Sequence, residues 1–349
     1  MSVPAVVLAK AVPEPSHRQE AAAQVLYYPV DLDGLVVDSI LDFNLYLPAG
    51  PGRFIFFRSP NLPFTVLHRN RLLEHDVRTV YIRADEQSQY NKYLEQNIGA
   101  VLGNPEIPGK KKATLLYTVS KNVVRETFDE PRASAIVPRT RNLATETVDF
   151  VLRSERALVQ LASVMATDYY TYTHSINVCV FAVALAHKVG VSRDDIGQLA
   201  TGALLHDLGK SQVPRDLLTR VGPLSEDEMS TMRAHVGWGE QMLNDHGGLS
   251  SLVMLPVSLH HEKLDGTGYP RRTQAEDIHL FGRIAAIADC FDAMTTNRSY
   301  QGALTAYDAL LKMKTALRDQ YDQRLLEQFI RMLRAPDDAH SPRKLAGLH

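Results

Sequence analysis

The spacing of apolar and polar positions changes character once along the chain, near residue 129. Between Leu35 and Phe128 the elements are short. Asn44 to Leu47 and Arg53 to Arg58 read as strands joined by a Pro-Ala-Gly-Pro-Gly turn, which predicts a hairpin. Thr65 can cap a helix through Glu74, and Thr79-Val80-Tyr81-Ile82 is a β-branched and aromatic strand, so a β-β-α-β unit is expected. A second helix is expected from Glu86 to Gln96, and Lys110-Lys111-Lys112 reads as solvated surface. Asp129 to Asn142, with prolines, arginines and small residues, has the texture of a linker. Beyond it the period is helical. Val148, Val151, Leu152, Leu158, Leu161 and Val164 mark a connecting helix. Helical segments then follow over Thr173–Val189, Arg193–His206, Glu226–Asn244, Leu252–His261, Phe281–Thr295, Ala306–Arg318 and Leu325–Leu333. The expected fold is α+β: a mobile leader over 1–25, a small α/β domain over 26–128, a linker and connecting helix over 129–158, an all-α domain over 159–335 and a tail over 336–349.

Composition narrows the function classes. At 349 residues, 45% hydrophobic and 22% charged, the chain can bury the cores of two domains. A net charge of -2 supplies no field for a nucleic acid polymer. The two cysteines, Cys179 and Cys290, lie in apolar settings, which suits a reducing compartment. No apolar run reaches the roughly 18 residues of a membrane span, and the N-terminus has no basic region leading into an apolar one. A cytoplasmic protein is expected.

The candidate chemistry lies in the helical half. Leu205-His206-Asp207-Leu208-Gly209-Lys210 sets two hard metal ligands and a cation side by side on an apolar element. His174, His235, His260 and His261 fall on other helices of the same half, and Asp289 stands in the Ala- and Ile-rich run Arg283 to Asp292. A carboxylate in such surroundings needs a partner when buried. Mixed nitrogen and oxygen ligands without thiolate suit a catalytic metal rather than a structural zinc.

The stretch His260-His261-Glu262-Lys263-Leu264-Asp265-Gly266-Thr267-Gly268-Tyr269-Pro270 resembles, without a gap, the signature of the HD-GYP family, a branch of the HD metal-dependent phosphohydrolases that cleaves cyclic di-GMP. His206-Asp207-x-Gly209-Lys210 matches that family's His-Asp element, and Asp168-x-Tyr170-Thr171-x-x-His174-Ser175 its opening segment. The resemblance covers roughly 150 to 335. It implies two divalent metals, with iron or manganese favoured over zinc, nickel, magnesium or calcium. Asp207 would bridge them, His174, His206 and Asp289 would complete the first, and His235, His260 and His261 the second. It further implies a phosphate contact from Lys210 and substrate contacts from Gly266, Tyr269, Pro270, Asp292 and Arg298.

Two departures bear on these expectations. Tyr170 stands where three-metal members carry a glutamate, which points to two metals, and Gln301 stands where some relatives carry a basic residue for a substrate phosphate. The reaction implied is in-line attack of an activated water on one phosphodiester, giving pGpG and, after a second cut, GMP. The alternatives are a weak or inactive cyclic dinucleotide receptor or protein-interaction module, and hydrolysis of another cyclic dinucleotide or a mononucleotide. Residues 26–128 then read as a regulatory or targeting domain. They carry no heme or flavin pattern, and Asp31 and Asp33 are not expected to end a strand as a phosphoacceptor would. A homodimer through the connecting helix and signalling partners complete the expectation.

Overall fold

The structure is a computed structural model, and it describes residues 7–8, 25–165, 171–296 and 303–334. Tyr170, Arg298, Gln301, most of the expected leader and the tail therefore lie outside the described residues. The chain divides into two compact units, Met1–Asn122 and Val123–His349.

The first unit is built on an antiparallel sheet. Strands β1 (Val7–Leu8), β2 (Leu26–Asp31), β3 (Ser39–Leu41), β4 (Leu45–Pro48), β5 (Phe54–Arg58), β6 (Leu62–Phe64) and, after helix α1 (Val66–Glu74), β7 (Thr79–Arg83) form one sheet in the order β1-β2-β7-β4-β5 and a smaller β3-β6 pair. The expected hairpin is β4-β5, closed by Ala49 N–H donating to the Arg53 carbonyl at 2.8 Å. Thr65 caps α1 through a capping box with His68. Helix α2 (Gln87–Gly103) runs past the expected end at Gln96, because Ile98, Val101 and Leu102 continue its buried face.

Four features of this half differ from expectation. Val7–Leu8, expected in the mobile leader, pairs with Leu26 and Tyr27 along the open edge of β2. Residues 109–129 form one long helix, α3 (Gly109–Asp129), where no element was expected, and Lys111 in its first turn reaches Asp31 and Asp33 at 3.1 and 2.8 Å. That lysine is committed to carboxylates, which its triplet did not reveal. Asp31 does end a strand, β2, but the strand sits in an antiparallel sheet, and Asp33 is held by Arg69 at 2.6 Å as well as by Lys111.

The expected linker is also mostly helix: α4 (Ile136–Arg153) begins inside it. Pro138 lies in the first turn of α4, where an amide N–H has no acceptor within the helix, so the proline costs nothing there. The expected connecting helix is broken at Ser154, whose backbone is extended, and resumes as α5 (Glu155–Met165).

In the second unit the apolar period sets the packing. Helix α6 (Thr171–Lys188) is buried nearly all round from Thr173 to Ala186, as a central helix must be. Helix α7 (Arg193–Leu205), capped by Ser192, packs beside it. A 3-10 turn (Leu208–Gln212) and α8 (Arg215–Leu218) lead to α9 (Glu226–Arg233) and α10 (His235–His246), which split the single helix expected over 226–244 at Ala234. Helices α11 (Ser251–Leu259) and α12 (Leu280–Thr295) complete the core against α7 and α6, and α13 (Ala306–Lys314) and α14 (Gln323–Leu333) follow. Among the described residues no helix is long and apolar enough to cross a membrane.

Candidate metal centre

His206 and Asp207 follow the end of α7, His235 opens α10, His260 and His261 follow the end of α11, and His174 and Asp289 sit within α6 and α12. All of these but Asp289, which lies mid-helix in α12, stand at or near a helix end, and they face the same point. Close approach depends on one glycine in particular. A Cβ on Gly209 would stand 1.9 Å from the His235 carbonyl oxygen and 2.6 Å from the Gly239 nitrogen, so the turn carrying Asp207 and Lys210 can meet the start of α10 only without a side chain there.

The ligand atoms converge in two groups that share Asp207. Asp207 with His235, His260 and His261 forms one, and His174 with His206 and Asp207 forms the other; within each, the donor atoms lie within 4.8 Å of one another. The two carboxylate oxygens of Asp207 divide between them. Oδ1 faces His235 Nε2 at 3.4 Å and His260 Nε2 at 3.9 Å, whereas Oδ2 faces His206 Nε2 at 3.3 Å and His174 Nε2 at 3.8 Å. Asp289 closes the site, with Oδ1 3.0 Å from His174 Nε2 and Oδ2 3.7 Å from His261 Nδ1.

Hydrogen bonding fixes which imidazole nitrogen points inward. His206, His235 and His260 each direct Nδ1 at a backbone carbonyl, of Ala203 at 2.7 Å, Met232 at 2.7 Å and Pro256 at 2.9 Å. With Nδ1 donating, each ring presents a bare Nε2 to the centre. The Nε2 atoms of His235 and His260 then face each other at 3.3 Å. His206 Nε2 and Asp207 Oδ1 are buried with no hydrogen-bond partner. Buried acceptors left without a donor, as His206 Nε2 and Asp207 Oδ1 are, are what a cation relieves, so the donor set fits divalent metal ions.

Charge and burial act in opposite directions here. Burial would raise the Asp207 carboxyl, but Lys210, His206 and His235 hold it well below the usual carboxylate range. Asp289 is likewise held low against its burial by His174, His261 and His260. Burial, and then the neighbouring His206, depresses His260 to about 3, and burial also lowers His235 and His261. His174 is the exception: burial would lower it, yet hydrogen bonds to Asp289 and Asp292 push it up to about 9.

Access is one-sided. The side chains of His206, Asp207, His235 and His260 are at most 1% exposed, whereas Lys210, His261 and Asp289 retain 18%, 21% and 11%. Lys210 donates from Nζ to Asp207 Oδ2 at 2.6 Å at this open side. Tyr269 stacks on His261 with ring centroids 4.5 Å apart.

Other expected substrate residues are placed differently. Asp292 is 2% exposed, and both of its oxygens are taken, Oδ2 by His174 Nδ1 at 2.7 Å and Oδ1 by Asn177 Nδ2 at 2.8 Å. In this arrangement Asp292 orients the His174 ring. Gly266 serves a turn at φ +73°, its N–H donating to the Lys263 carbonyl, and Pro270 is exposed.

Glu262 was read within the signature without a role, and Asn177 was not singled out from the sequence. The buried Glu262 accepts from the Arg271 and Thr273 amides at 2.8 and 3.0 Å and so holds the loop that follows His261. Asn177 lies one helical turn after His174, and that spacing was the available signal.

Helix ends that gather histidines around one shared carboxylate define an all-α domain with a cluster that could hold metal ions. The chain belongs to the HD domain family, whose model matches residues 149–325. The HD-GYP resemblance read from the sequence is borne out with it. A cyclic di-GMP phosphodiesterase of Pseudomonas aeruginosa is 32% identical over 223 residues, covering 63% of this chain and 54% of that protein. The cyclic di-GMP phosphodiesterase response regulator RpfG of Xanthomonas campestris is 34% identical over 148 residues, 42% of this chain and 39% of the relative. A 3'3'-cGAMP-specific phosphodiesterase of Vibrio cholerae is 38% identical over 157 residues, 45% of this chain and 34% of the relative. The chain thus spans about half or less of the length of these curated relatives. In fold it is similar to an HDG"Y"P protein from Bdellovibrio bacteriovorus, with a TM-score of 0.64 and 22% identity, over 88% of this chain and 100% of the other.

Proposed function

We propose that this protein is a two-metal phosphodiesterase that hydrolyses cyclic di-GMP to pGpG and, by a second cut, GMP. The observation that carries the reading is the division of Asp207 between two ligand groups, one oxygen to each. His174, His206 and Asp289 would hold one ion with Asp207, and His235, His260 and His261 the other. Iron or manganese suits this mixture of imidazole and carboxylate. Divalent ions in such a site lower the pKa of water and neutralise charge on phosphoryl oxygens.

The chain's own groups do the remainder. Lys210, at the open side, offers an ammonium to a phosphoryl oxygen as negative charge grows there. The Nε2 atoms of His235 and His260 stay neutral near pH 7 because burial depresses both rings. The closed walls keep bulk water from all but one face. The first unit, which lies outside the family match and contributes to neither ligand group, is read as regulatory.

A second substrate, 3'3'-cGAMP, is favoured by the Vibrio cholerae relatives at 34% to 38% identity. One assay separates these readings. Protein loaded with reduced Fe(II) or with Mn(II) is incubated with each cyclic dinucleotide beside an Asp207→Ala control, and pGpG, GMP and the mixed products are resolved. Wild type should turn over cyclic di-GMP, with the variant slower by at least about a thousandfold, as expected when transition-state charge stabilisation is lost. Equal inertness of the two, with nucleotide still bound, would leave a receptor instead of an enzyme.

A further inference from the structure

Arg233 is the last residue of α9, two positions before the ligand His235. It is exposed, and its guanidinium carbon lies 5.4 Å from the centroid of the Tyr269 ring, the same ring that stacks on His261 at 4.5 Å. Burial raises the Tyr269 phenol, the Asp289 and Asp207 carboxylates raise it further, and Arg233 opposes them. Tyr269 therefore stands between the metal ligands and this guanidinium.

Three other cations near the site have partners. Lys210 is on Asp207 at 2.6 Å, Lys263 donates to the Tyr321 hydroxyl at 2.5 Å, and Arg271 grips both oxygens of Glu240 at 2.7 and 2.9 Å. Among the described residues no carboxylate pairs with Arg233. An uncompensated guanidinium, parked on an aromatic face beside an anion site, keeps its fork of donors available.

A cyclic dinucleotide carries two phosphodiesters on opposite sides of one small ring. With one of them at the ligand cluster, the other falls on the rim, where it needs a cation that the cluster does not supply. Guanidinium geometry suits such a phosphate, because two of its N–H groups reach two phosphoryl oxygens at once. We propose that Arg233 is the substrate-binding residue that takes the non-scissile phosphate of the cyclic dinucleotide. This rests on the proposed phosphodiesterase reading.

The test compares a substrate with two phosphates against one with a single phosphate. KM and kcat are measured for Mn(II)-loaded wild type, Arg233→Ala and Arg233→Lys on cyclic di-GMP and on bis(p-nitrophenyl) phosphate. In Arg233→Ala the ratio of the two KM values, dinucleotide over nitrophenyl ester, should rise at least about tenfold, the loss expected for a charged hydrogen bond. The kcat on the dinucleotide should change far less, and Arg233→Lys should recover part of the ratio. A ratio unchanged within error, or equal rises for both substrates, would mean that Arg233 only steadies Tyr269, and the inference is overturned. Wild type that cleaves the nitrophenyl ester but no cyclic dinucleotide would instead sink the proposed substrate, and the inference with it.

Discussion

His174 differs from the other imidazoles in that both its nitrogens meet carboxylates, Nδ1 on Asp292 and Nε2 on Asp289. Asp292 fixes the ring's direction, and its negative charge makes the ring a better donor to a metal. In Asp292→Asn the hydrogen bond to His174 can persist but the charge is gone. Metal affinity at the His174 side should fall about 10- to 100-fold, the usual cost of removing such an outer partner. Manganese titration of the metal-stripped variant reads this directly, and an unchanged affinity would return Asp292 to the substrate side. The sequence made Asp292 conspicuous only by its spacing from Asp289. Whether a buried carboxylate holds a ligand or a substrate depends on what lies opposite it, here His174 and Asn177 from another helix.

At the scale of elements, the helices of the second unit were legible because their apolar residues recur with the helical period and their ends carry Ser192, Ser225, Ser250 and Thr305 as caps. What misled was punctuation. Pro138 sits in a first turn, and Lys110 to Lys112 begin a helix, so signals that ordinarily mark a loop were satisfied inside helices. The junction of the 3-10 turn with α10 carries a sharper constraint. Gly209→Ala would drive a methyl to 1.9 Å from a backbone oxygen, and backbone cannot swing aside as a side chain can. The two elements must separate, which should destabilise the protein by about 1–3 kcal/mol and draw Asp207 and Lys210 away from His235. Thermal unfolding together with metal content measures both; a variant that keeps wild-type stability and metal would show that the junction yields.

Across the molecule, the ligand cluster couples stability to pH. His260, depressed from the ordinary 6.5 to about 3, leaves the unfolded chain binding the extra proton, so its contribution is complete above 6.5 and is lost as pH falls toward 3. His174, raised to about 9, contributes fully below 6.5 and loses that contribution as pH rises through 9. Asp207 and Asp289, both held low, stabilise above 3.8 and lose this as pH falls further. Metal-free protein should therefore melt highest near pH 6.5 to 7 and lower on either side. Metal must displace the His174 proton, so loading near pH 7.5 should release protons and remove the decline on the alkaline side. Melting curves from pH 5 to 9, with and without Mn(II), test this, and a flat metal-free profile would refute it.

By itself the sequence determined that the second half is helical, that the His-Asp pair and the His-His-Glu loop hold the candidate chemistry, and that the chain resembles the HD-GYP branch. These are local properties, written in period, caps and contiguous motifs. Tertiary structure alone decided that one oxygen of Asp207 serves each ligand group, that Asp292 supports His174, that Glu262 ties the loop, and that Arg233 borders Tyr269. Each of these depends on the distance between residues far apart in the chain, which helix packing sets and no local pattern encodes. The residue at the centre is the same in both views: Asp207 is marked by its neighbours in sequence, but its division between two ligand groups exists only where four helix ends meet.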